Sequence, residues 1–276
     1  MSRRPSLFVT GASGFVGAHF CRLAAGLGFR VRGLWRNTPL SLAGVEAVQG
    51  DVTTIDDPGA DVVIHLAAKV MADDARAQNR RMLDRVLAWG RPIVYASSTM
   101  VHWPLDVEYA ASRREDEARV VNSGLDYLIV RPCAPYGPRI PGHTPAHTES
   151  FHTLADWVRR LPAIPVVGNA RYRRQPVHVD DFNGAILRLV RAGAWGGEFD
   201  AGGPKAMTMV EIVHALGGKR ILHIPRRLLK VAGPLAGLSR DVVSTFDTDD
   251  VVDPKPLAAA SGLSPREFDP GVLANI

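Results

Sequence analysis

The chain contains few cysteines and few lysines, and it lacks any long apolar run. Its two cysteines, Cys21 and Cys133, are too few for a disulfide framework, which favours a reducing compartment. No stretch approaches the roughly eighteen consecutive apolar residues that a membrane span requires. The basic first residues lead straight into an apolar strand, unlike the start of a signal peptide. We therefore expect a cytoplasmic protein that does not enter a membrane.

The positive charge of the chain is not gathered on one segment. The 33 basic residues outnumber the 28 acidic ones, and only five of the 33 are lysines, which leaves 28 arginines. Because the excess is scattered, we expect no nucleic-acid partner. We also expect no metal site, since Pro145 between His143 and His147 opposes the helix that would align them as ligands.

Strand-like and helix-like segments alternate through the first half of the chain. Short β-rich runs occur at 6–10, 30–35, 45–49, 61–66, 92–95 and 125–130, and helical apolar spacing occurs at 18–27, 75–89 and 110–122. This alternation predicts an α/β fold with a doubly wound parallel sheet, Rossmann-like, with helices on both faces.

From about residue 138 the pattern becomes irregular and rich in proline, glycine and histidine. Such a segment is typical of a smaller substrate lobe at the carboxyl ends of the strands, where open α/β sheets bind their ligands. We predict a dinucleotide-binding core over 1–137. The mixed region over 138–276 would form mostly the substrate lobe, with 172–200 returning to the core.

Three glycines, Gly11, Gly14 and Gly17, follow the first strand and open the first helix. In this setting glycines permit a tight turn and bring backbone N–H groups close to a pyrophosphate at the helix N-terminus. Their spacing differs from the G-x-G-x-x-G of most dinucleotide folds. Taken alone, the triplet also suits a plain structural turn.

Several motifs in a fixed order resemble the extended short-chain dehydrogenase/reductases, the NAD-dependent epimerase/dehydratase family. They are TGASGFVG at 10–17, GDV at 50–52, HLAA at 65–68, YASS at 95–98, RP and YGP within 131–138, and RQPVHVDD at 174–181. The resemblance spans about residues 6–182 and weakens beyond Asp200. It implies an NAD(P)-binding enzyme that forms a homodimer through the helix carrying Tyr109 and its neighbour.

The resemblance implies cofactor contacts along one edge of the sheet. The glycine loop would cradle the pyrophosphate, and Asp51 and Val52 would flank the adenine. Arg36 directly follows the second strand, at a position where an acidic residue would select NAD and an arginine accommodates a 2′-phosphate. We therefore expect NADP, with NAD as the alternative. The remaining cofactor-binding residues are Ser13, Phe15, Val16, Leu66, Ala67, Ala68 and Pro132.

The family's catalytic pattern is present but altered. The resemblance implies that Ser98 holds the substrate oxygen and that Tyr109 moves a proton on it, helped by a lysine four residues later. That position is Arg113, and no Tyr-x-x-x-Lys occurs anywhere in the chain. A free tyrosine titrates near 10, so a nearby cation favours its use as a base. Arginine supplies the charge and can reach the nicotinamide ribose from the same helix face, but its planar fork need not reproduce the contact of an ammonium group with the ribose hydroxyls.

The candidate substrate wall is also unusual. Only eleven positions separate Ser98 from Tyr109, fewer than in most extended relatives. We expect Thr99, His102 and Tyr136 to face the substrate. The resemblance implies that Arg174 meets a substrate diphosphate.

These observations support three hypotheses of function. The first is an epimerase or ketoreductase that acts on a nucleotide-activated sugar by hydride transfer, with Tyr109 as general acid/base. The second is an NADPH-dependent carbonyl reductase for a small ketone or aldehyde, which Arg36 and the short connection favour. The third is an NADP-binding sensor or scaffold without turnover, which the missing lysine allows.

Overall fold

The computed structural model describes residues 4–70, 74–103, 107–147, 149–225, 227–228 and 248–273. In the first half, strands and helices begin and end within three residues of the predicted bounds. They are β1 (Ser6–Thr10), α1 (Phe15–Gly26), β2 (Arg30–Trp35), β3 (Val45–Gln49), β4 (Val62–His65), α2 (Ala75–Ala88), β5 (Ile93–Ala96), a 3-10 helix (Thr99–His102), α3 (Glu108–Val121) and β6 (Tyr127–Pro132).

The second half contains shorter elements. They are β7 (Pro135–Tyr136), α4 (Ser150–Arg160), β8 (Ile164–Val167), β9 (Arg173–Arg174), β10 (Val177–His178), α5 (Val179–Ala192), β11 (Gly197–Ala201), β12 (Met207–Thr208), α6 (Met209–Ala215), β13 (Ile221–Ile224), α7 (Lys255–Ser261) and a 3-10 helix (Pro270–Leu273). None of the helices in the described part of the chain is both long and apolar enough to cross a membrane.

The central sheet has seven strands in the order β11-β6-β5-β4-β1-β2-β3, and every neighbouring pair is parallel. The predicted doubly wound Rossmann-like fold is confirmed. Because β1 pairs with both β2 and β4, the strand order reverses between β1 and β4. Ligands of such sheets bind outside the carboxyl ends of the strands at this point.

Successive residues of β1 point to opposite faces of the sheet and bury different cores. Leu7 and Val9 lie in one apolar cluster with residues of α1 and α5. Phe8 lies in a second cluster with Leu83 of α2 and Val120 of α3. Since both faces of the sheet are covered, the carboxyl ends of its strands, and the residues directly after them, are held in fixed positions.

A third apolar cluster lies in the second half of the chain. It contains Tyr136, Phe151 and Leu154 with Ile164 and Ile212. In contrast, β11 pairs with β6 and so lies at the edge of the central sheet. The second half therefore contributes both to a separate small core and to the main sheet.

Candidate functional site

The glycine-rich loop between β1 and α1 packs too closely for side chains at two positions. Gly11 has a φ of 69°, and a Cβ there would lie 2.7 Å from the backbone nitrogen of Ala67. A Cβ on Gly17 would lie 2.1 Å from the carbonyl oxygen of Gly11. Both contacts are with backbone, which cannot move aside as a side chain can. Gly11 therefore lets the loop approach the segment after β4, and Gly17 lets the first turn of α1 close against the loop.

The N-terminus of α1 can receive an anion. Gly14 precedes the helix without a side-chain cap, and the first turn contains no acidic residue. The N–H groups of a first turn have no helical partners and carry partial positive charge. These features fit the pyrophosphate of a dinucleotide, which Ser13, Gly14 and the backbone of Phe15 and Val16 would hold. The ring of Phe15 is buried against two histidines and does not reach the loop surface.

Other predicted cofactor residues lie at the carboxyl edge of the sheet. Residues 66–68 follow β4 and are half-buried to exposed, and Pro132 ends β6. The buried Asn79 amide holds this edge, since it accepts from the Lys69 N–H at 2.7 Å and donates to the Lys69 carbonyl at 2.9 Å. This geometry assigns Asn79 a structural role.

Arg36 and Asp51 meet at the predicted adenine end. The Arg36 Nη1 atom donates to Asp51 Oδ2 at 2.9 Å, and the Arg36 side chain is 54% exposed. Hydrogen bonds from Thr53, together with Arg36, lower the pKa of Asp51 to about 2. Val52 is 7% exposed and packs into the core. Arg36 is therefore accessible to a ligand but shared with a permanent carboxylate.

Ser98 and Thr99 follow β5 and point in different directions. The half-buried Ser98 hydroxyl accepts from the Met100 N–H at 3.2 Å, which leaves its own hydrogen free to donate to a ligand. Thr99 is 1% exposed, and its hydroxyl donates to the Pro132 carbonyl at 3.4 Å. The structure therefore suits Ser98 to a substrate contact but does not bring the Thr99 side chain to the cleft.

Tyr109 and Arg113 lie one turn apart on α3 and are in contact. The Arg113 Cζ atom lies 5.3 Å from the centroid of the Tyr109 ring and 5.6 Å from that of Tyr95. Its Nη2 atom lies 3.2 Å from Asp116 Oδ2, and its side chain is 2% exposed. Arg113 is therefore turned inward and paired with Asp116. It supports Tyr109 from the interior and offers almost no surface to a ribose, the contact expected for the family's lysine.

Two groups around this cluster are held neutral. Burial raises the pKa of Tyr109, the Asp116 and Glu149 charges add to this effect, and Arg113 opposes it. Burial, with Arg113 nearby, lowers the pKa of His65 to about 3. The His65 Nδ1 atom lies 2.7 Å from the Thr10 hydroxyl. At neutral pH the tyrosine is thus a proton donor and the histidine is uncharged.

A second buried ion pair joins α3 to β6. Arg131 donates to both carboxylate oxygens of Glu117, at 2.7 and 2.8 Å, and its Nη1 atom lies 3.7 Å from Asp200. His102 is half-exposed and its Nε2 atom lies 2.9 Å from the same Asp200. The predicted substrate residue His102 is therefore tied to the end of β11.

Arg174 stacks on two aromatic rings. Its Cζ atom lies 4.8 Å from the centroid of Tyr172 and 5.7 Å from that of Trp103. Its Nη1 atom also donates to the backbone carbonyl of Thr248. The buried Trp103 donates to Asp250 Oδ1 at 3.1 Å. Arg174, the residue predicted to bind a substrate diphosphate, therefore already has partners within the chain.

Tyr136 is 0% exposed and lies in the small core. Its hydroxyl donates to the Glu267 carbonyl at 3.1 Å and accepts from the Asp269 N–H at 3.0 Å. The structure therefore does not bring Tyr136 to a surface that a substrate could reach.

Sequence reasoning missed Asp116 and Asp250. The three-residue spacing of Arg113 and Asp116 on one helix is a signal that could have found the first. Nothing local could have found the second, because Trp103 and Asp250 are 147 residues apart. In the described ranges, no group of three or more histidine, cysteine or acidic side chains is placed to hold a metal ion.

A family model described as "NAD dependent epimerase/dehydratase family" matches residues 7–101 and 107–202. Among characterised proteins, the chain is similar to a ceramide reductase of Caulobacter vibrioides, with 31% identity over 259 residues that cover 86% of this chain and 79% of that protein. It is also similar to a dTDP-glucose 4,6-dehydratase of Streptomyces niveus, with 25% identity over 80% of this chain and 81% of that protein.

The fold also resembles solved structures. The structure of MoeE5 in complex with UDP-glucose and NAD has a TM-score of 0.74 and 20% identity, and the match covers 98% of this chain and 96% of that one. At this level of identity the likeness concerns the fold.

Proposed function

Because the chain belongs to the NAD dependent epimerase/dehydratase family, whose cofactor is a nicotinamide dinucleotide, we propose that it is an NADP(H)-dependent reductase of a ketone or aldehyde carbonyl. The observation that carries this proposal is its similarity over 86% of its length to a ceramide reductase. The ketone of an oxidised ceramide is accordingly the first substrate to test.

The cluster around Tyr109 supports a reductive reaction. Reduction of a carbonyl needs a hydride on carbon and a proton on oxygen, which together give an alcohol. When bound, the reduced nicotinamide supplies the hydride. The Ser98 hydroxyl, whose hydrogen is free, would donate to the carbonyl oxygen and hold it. Tyr109, whose pKa burial raises, would deliver the proton to the same oxygen.

Arg174 weakens the case for a nucleotide-sugar substrate. Its guanidinium stacks on Tyr172 and Trp103 and bonds to the Thr248 carbonyl. A diphosphate would have to share or replace these partners. Arg174 is nevertheless only half-buried, and this accessible edge favours an epimerase or ketoreductase of nucleotide sugars as the second candidate.

The proposal is tested by supplying the purified protein with NADPH and a panel of carbonyl substrates. The panel contains a short-chain ketoceramide, simple ketones and aldehydes, UDP-glucose and dTDP-glucose. We expect NADPH to be consumed with the ketoceramide and a stoichiometric alcohol to form. A sugar epimer formed without net NADPH consumption would replace the proposal with the second candidate, and tight NADPH binding without any turnover would leave a sensor or scaffold.

Tyr109→Phe is the decisive variant because it removes the transferable proton and little volume. We expect the reduction rate to fall about 10²- to 10⁴-fold, while the Kd for NADPH changes little. Tyr127→Phe is the matched control, since half-buried Tyr127 begins β6 at the opposite edge of the sheet. Equal rates for Tyr109→Phe and the unmodified protein would refute the role of Tyr109.

A further inference from the structure

Beneath Tyr109 lies a buried charge pair formed by Arg113 and Asp116, and Asp116 belongs to none of the motifs that carry the family resemblance. We propose that Asp116 is a positioning residue that holds Arg113 against the Tyr109 ring and balances the charge of its guanidinium. The inference rests on the proposed reductase function, because it concerns the proton donor of that site.

One carboxylate oxygen organises the cluster. Asp116 Oδ2 lies 3.2 Å from Arg113 Nη2 and accepts from the Tyr95 hydroxyl at 2.9 Å. The side chains of Arg113 and Asp116 are 2% and 4% exposed. The guanidinium is thus held at one end by a carboxylate, while its Cζ atom lies 5.3 Å from the Tyr109 ring centroid.

Arginine suits this arrangement better than lysine would. On a helix, residues three and four apart share one face, so Tyr109, Arg113 and Asp116 adjoin one another. The planar fork can give one nitrogen to Asp116 while its face stacks on an aromatic ring. A lysine ammonium is a point charge and cannot make both contacts in the same way. The Arg113 Nε atom is buried without a hydrogen-bond partner among the described residues, so the ion pair is carried by Nη2, which lies 3.2 Å from Asp116 Oδ2.

Without a counter-charge, a buried guanidinium would favour tyrosinate. The Asp116 carboxylate has the opposite effect, and the pKa of Tyr109 lies above its usual value because burial and the Asp116 charge outweigh Arg113. A tyrosine of this kind donates protons at neutral pH. Proton donation suits the reduction of a carbonyl rather than the oxidation of an alcohol.

Other titratable and charged groups face the cluster from every neighbouring element. They are Tyr95 of β5, His65 of β4, Glu149 before α4 and, acting on Asp116, Arg80 of α2 and Glu115 of α3 itself. His65 stays neutral because burial lowers its pKa to about 3. Burial raises the pKa of Glu149 to about 7, so Glu149 is ionised throughout the alkaline range where Tyr109 titrates. Tyr95 also loses its proton only at alkaline pH, since burial raises its pKa well above the usual value, so the titration of Tyr109 is identified as the one that Tyr109→Phe abolishes.

The experiment compares Asp116→Asn with Glu115→Gln. Glu115 is the neighbouring carboxylate on α3, but it is half-exposed and bonded to Arg76. Two readouts are taken, namely the alkaline fall of the reduction rate and the ultraviolet titration of tyrosinate, assigned by adding Tyr109→Phe to each variant. The second readout does not require turnover.

We expect Asp116→Asn to move both readouts to lower pH by on the order of one unit, while Glu115→Gln moves neither. Arg113→Gln removes the opposing charge and should move the tyrosinate titration to higher pH. An unchanged Tyr109 titration in Asp116→Asn, or shifts of the same sign in both variants, would overturn the inference.

A double variant distinguishes a folding defect of Asp116→Asn from a failure of the charge balance. If Asp116→Asn does not fold, the double variant Arg113→Gln/Asp116→Asn removes both charges and should titrate close to the unmodified protein. A double variant that titrates like Arg113→Gln alone would refute the charge balance. Opposite titration shifts in a protein that reduces no carbonyl would support the charge balance and overturn the reductase function.

Discussion

Arg36 provides a direct test of cofactor preference. Its Nη1 atom is 2.9 Å from Asp51, and its side chain is 54% exposed. No acidic residue lies between positions 28 and 42 to repel a 2′-phosphate. We therefore predict that Arg36→Ala weakens NADPH binding and leaves NADH binding nearly unchanged, because only NADPH carries the phosphate that this arginine would meet.

The expected loss of NADPH binding free energy follows from the exposure of the Arg36 and Asp51 side chains. A hydrogen bond to a charged group contributes about 1.5–3 kcal/mol, and solvent screening at a half-exposed site reduces this to about 1–2 kcal/mol. The loss corresponds to a roughly 5- to 30-fold rise in the Kd for NADPH. Asp51 limits the effect, because its pKa of about 2 keeps it ionised and bonded to Arg36 at any working pH.

Titration calorimetry with NADPH and NADH measures both affinities. Arg32→Ala is the matched control, because Arg32 lies on the same strand but bonds to Glu46 and to the Pro58 carbonyl. Raising the salt concentration should reduce the preference for NADPH in the unmodified protein, since exposed charges are screened. An equal loss of affinity for NADH and NADPH in Arg36→Ala, or no loss for either, would refute the reasoning.

Two further predictions concern the buried charges. Glu117→Gln should lower the free energy of unfolding by about 2 kcal/mol in urea titrations, because it leaves the buried Arg131 with fewer acceptors, whereas the half-exposed Glu115→Gln should change it by less than about 0.5 kcal/mol. The pKa of His65 is about 3 in the folded protein, against about 6.5 when unfolded, so the unfolded chain gains a proton first as the pH falls. The stabilisation that neutral His65 contributes is therefore fully present above about pH 6.5, and the free energy of unfolding should decrease by about 2 kcal/mol on going to about pH 5. The variant His65→Gln should not show this loss.

The elements of the sheet were predictable because each buried strand is a short apolar run between glycine, proline or polar residues. In β1 and β4, nearly every side chain is buried on one face or the other, so the composition of the segment alone indicates a covered parallel strand. The glycine loop was predictable for a related reason. The close approach of Gly17 to Gly11 is local and leaves a fixed spacing in the sequence.

Side-chain direction was less predictable than position. Ser98 and Thr99 are adjacent, yet only Ser98 keeps accessible surface, because the 3-10 helix that starts at Thr99 turns that hydroxyl toward Pro132. Tyr136 carries a family motif, but its ring is enclosed by aromatic residues from distant parts of the chain, among them Phe268. Motif spacing cannot report contacts of this range. The domain division and the homodimer stay predictions.

The replacement of lysine by arginine is visible in the sequence, but its consequence depends on where the guanidinium points. Taken alone, Arg113 suggests either a substitute ribose ligand or a site without chemistry. With Asp116 below it and two tyrosine rings around it, the same residue is a charge-balanced support for Tyr109. A support that leaves the tyrosine protonated keeps little tyrosinate available as a base at neutral pH, but it keeps the phenol proton available for donation. The loss of the family's lysine is therefore compatible with catalysis in the reductive direction, where only an acid is required.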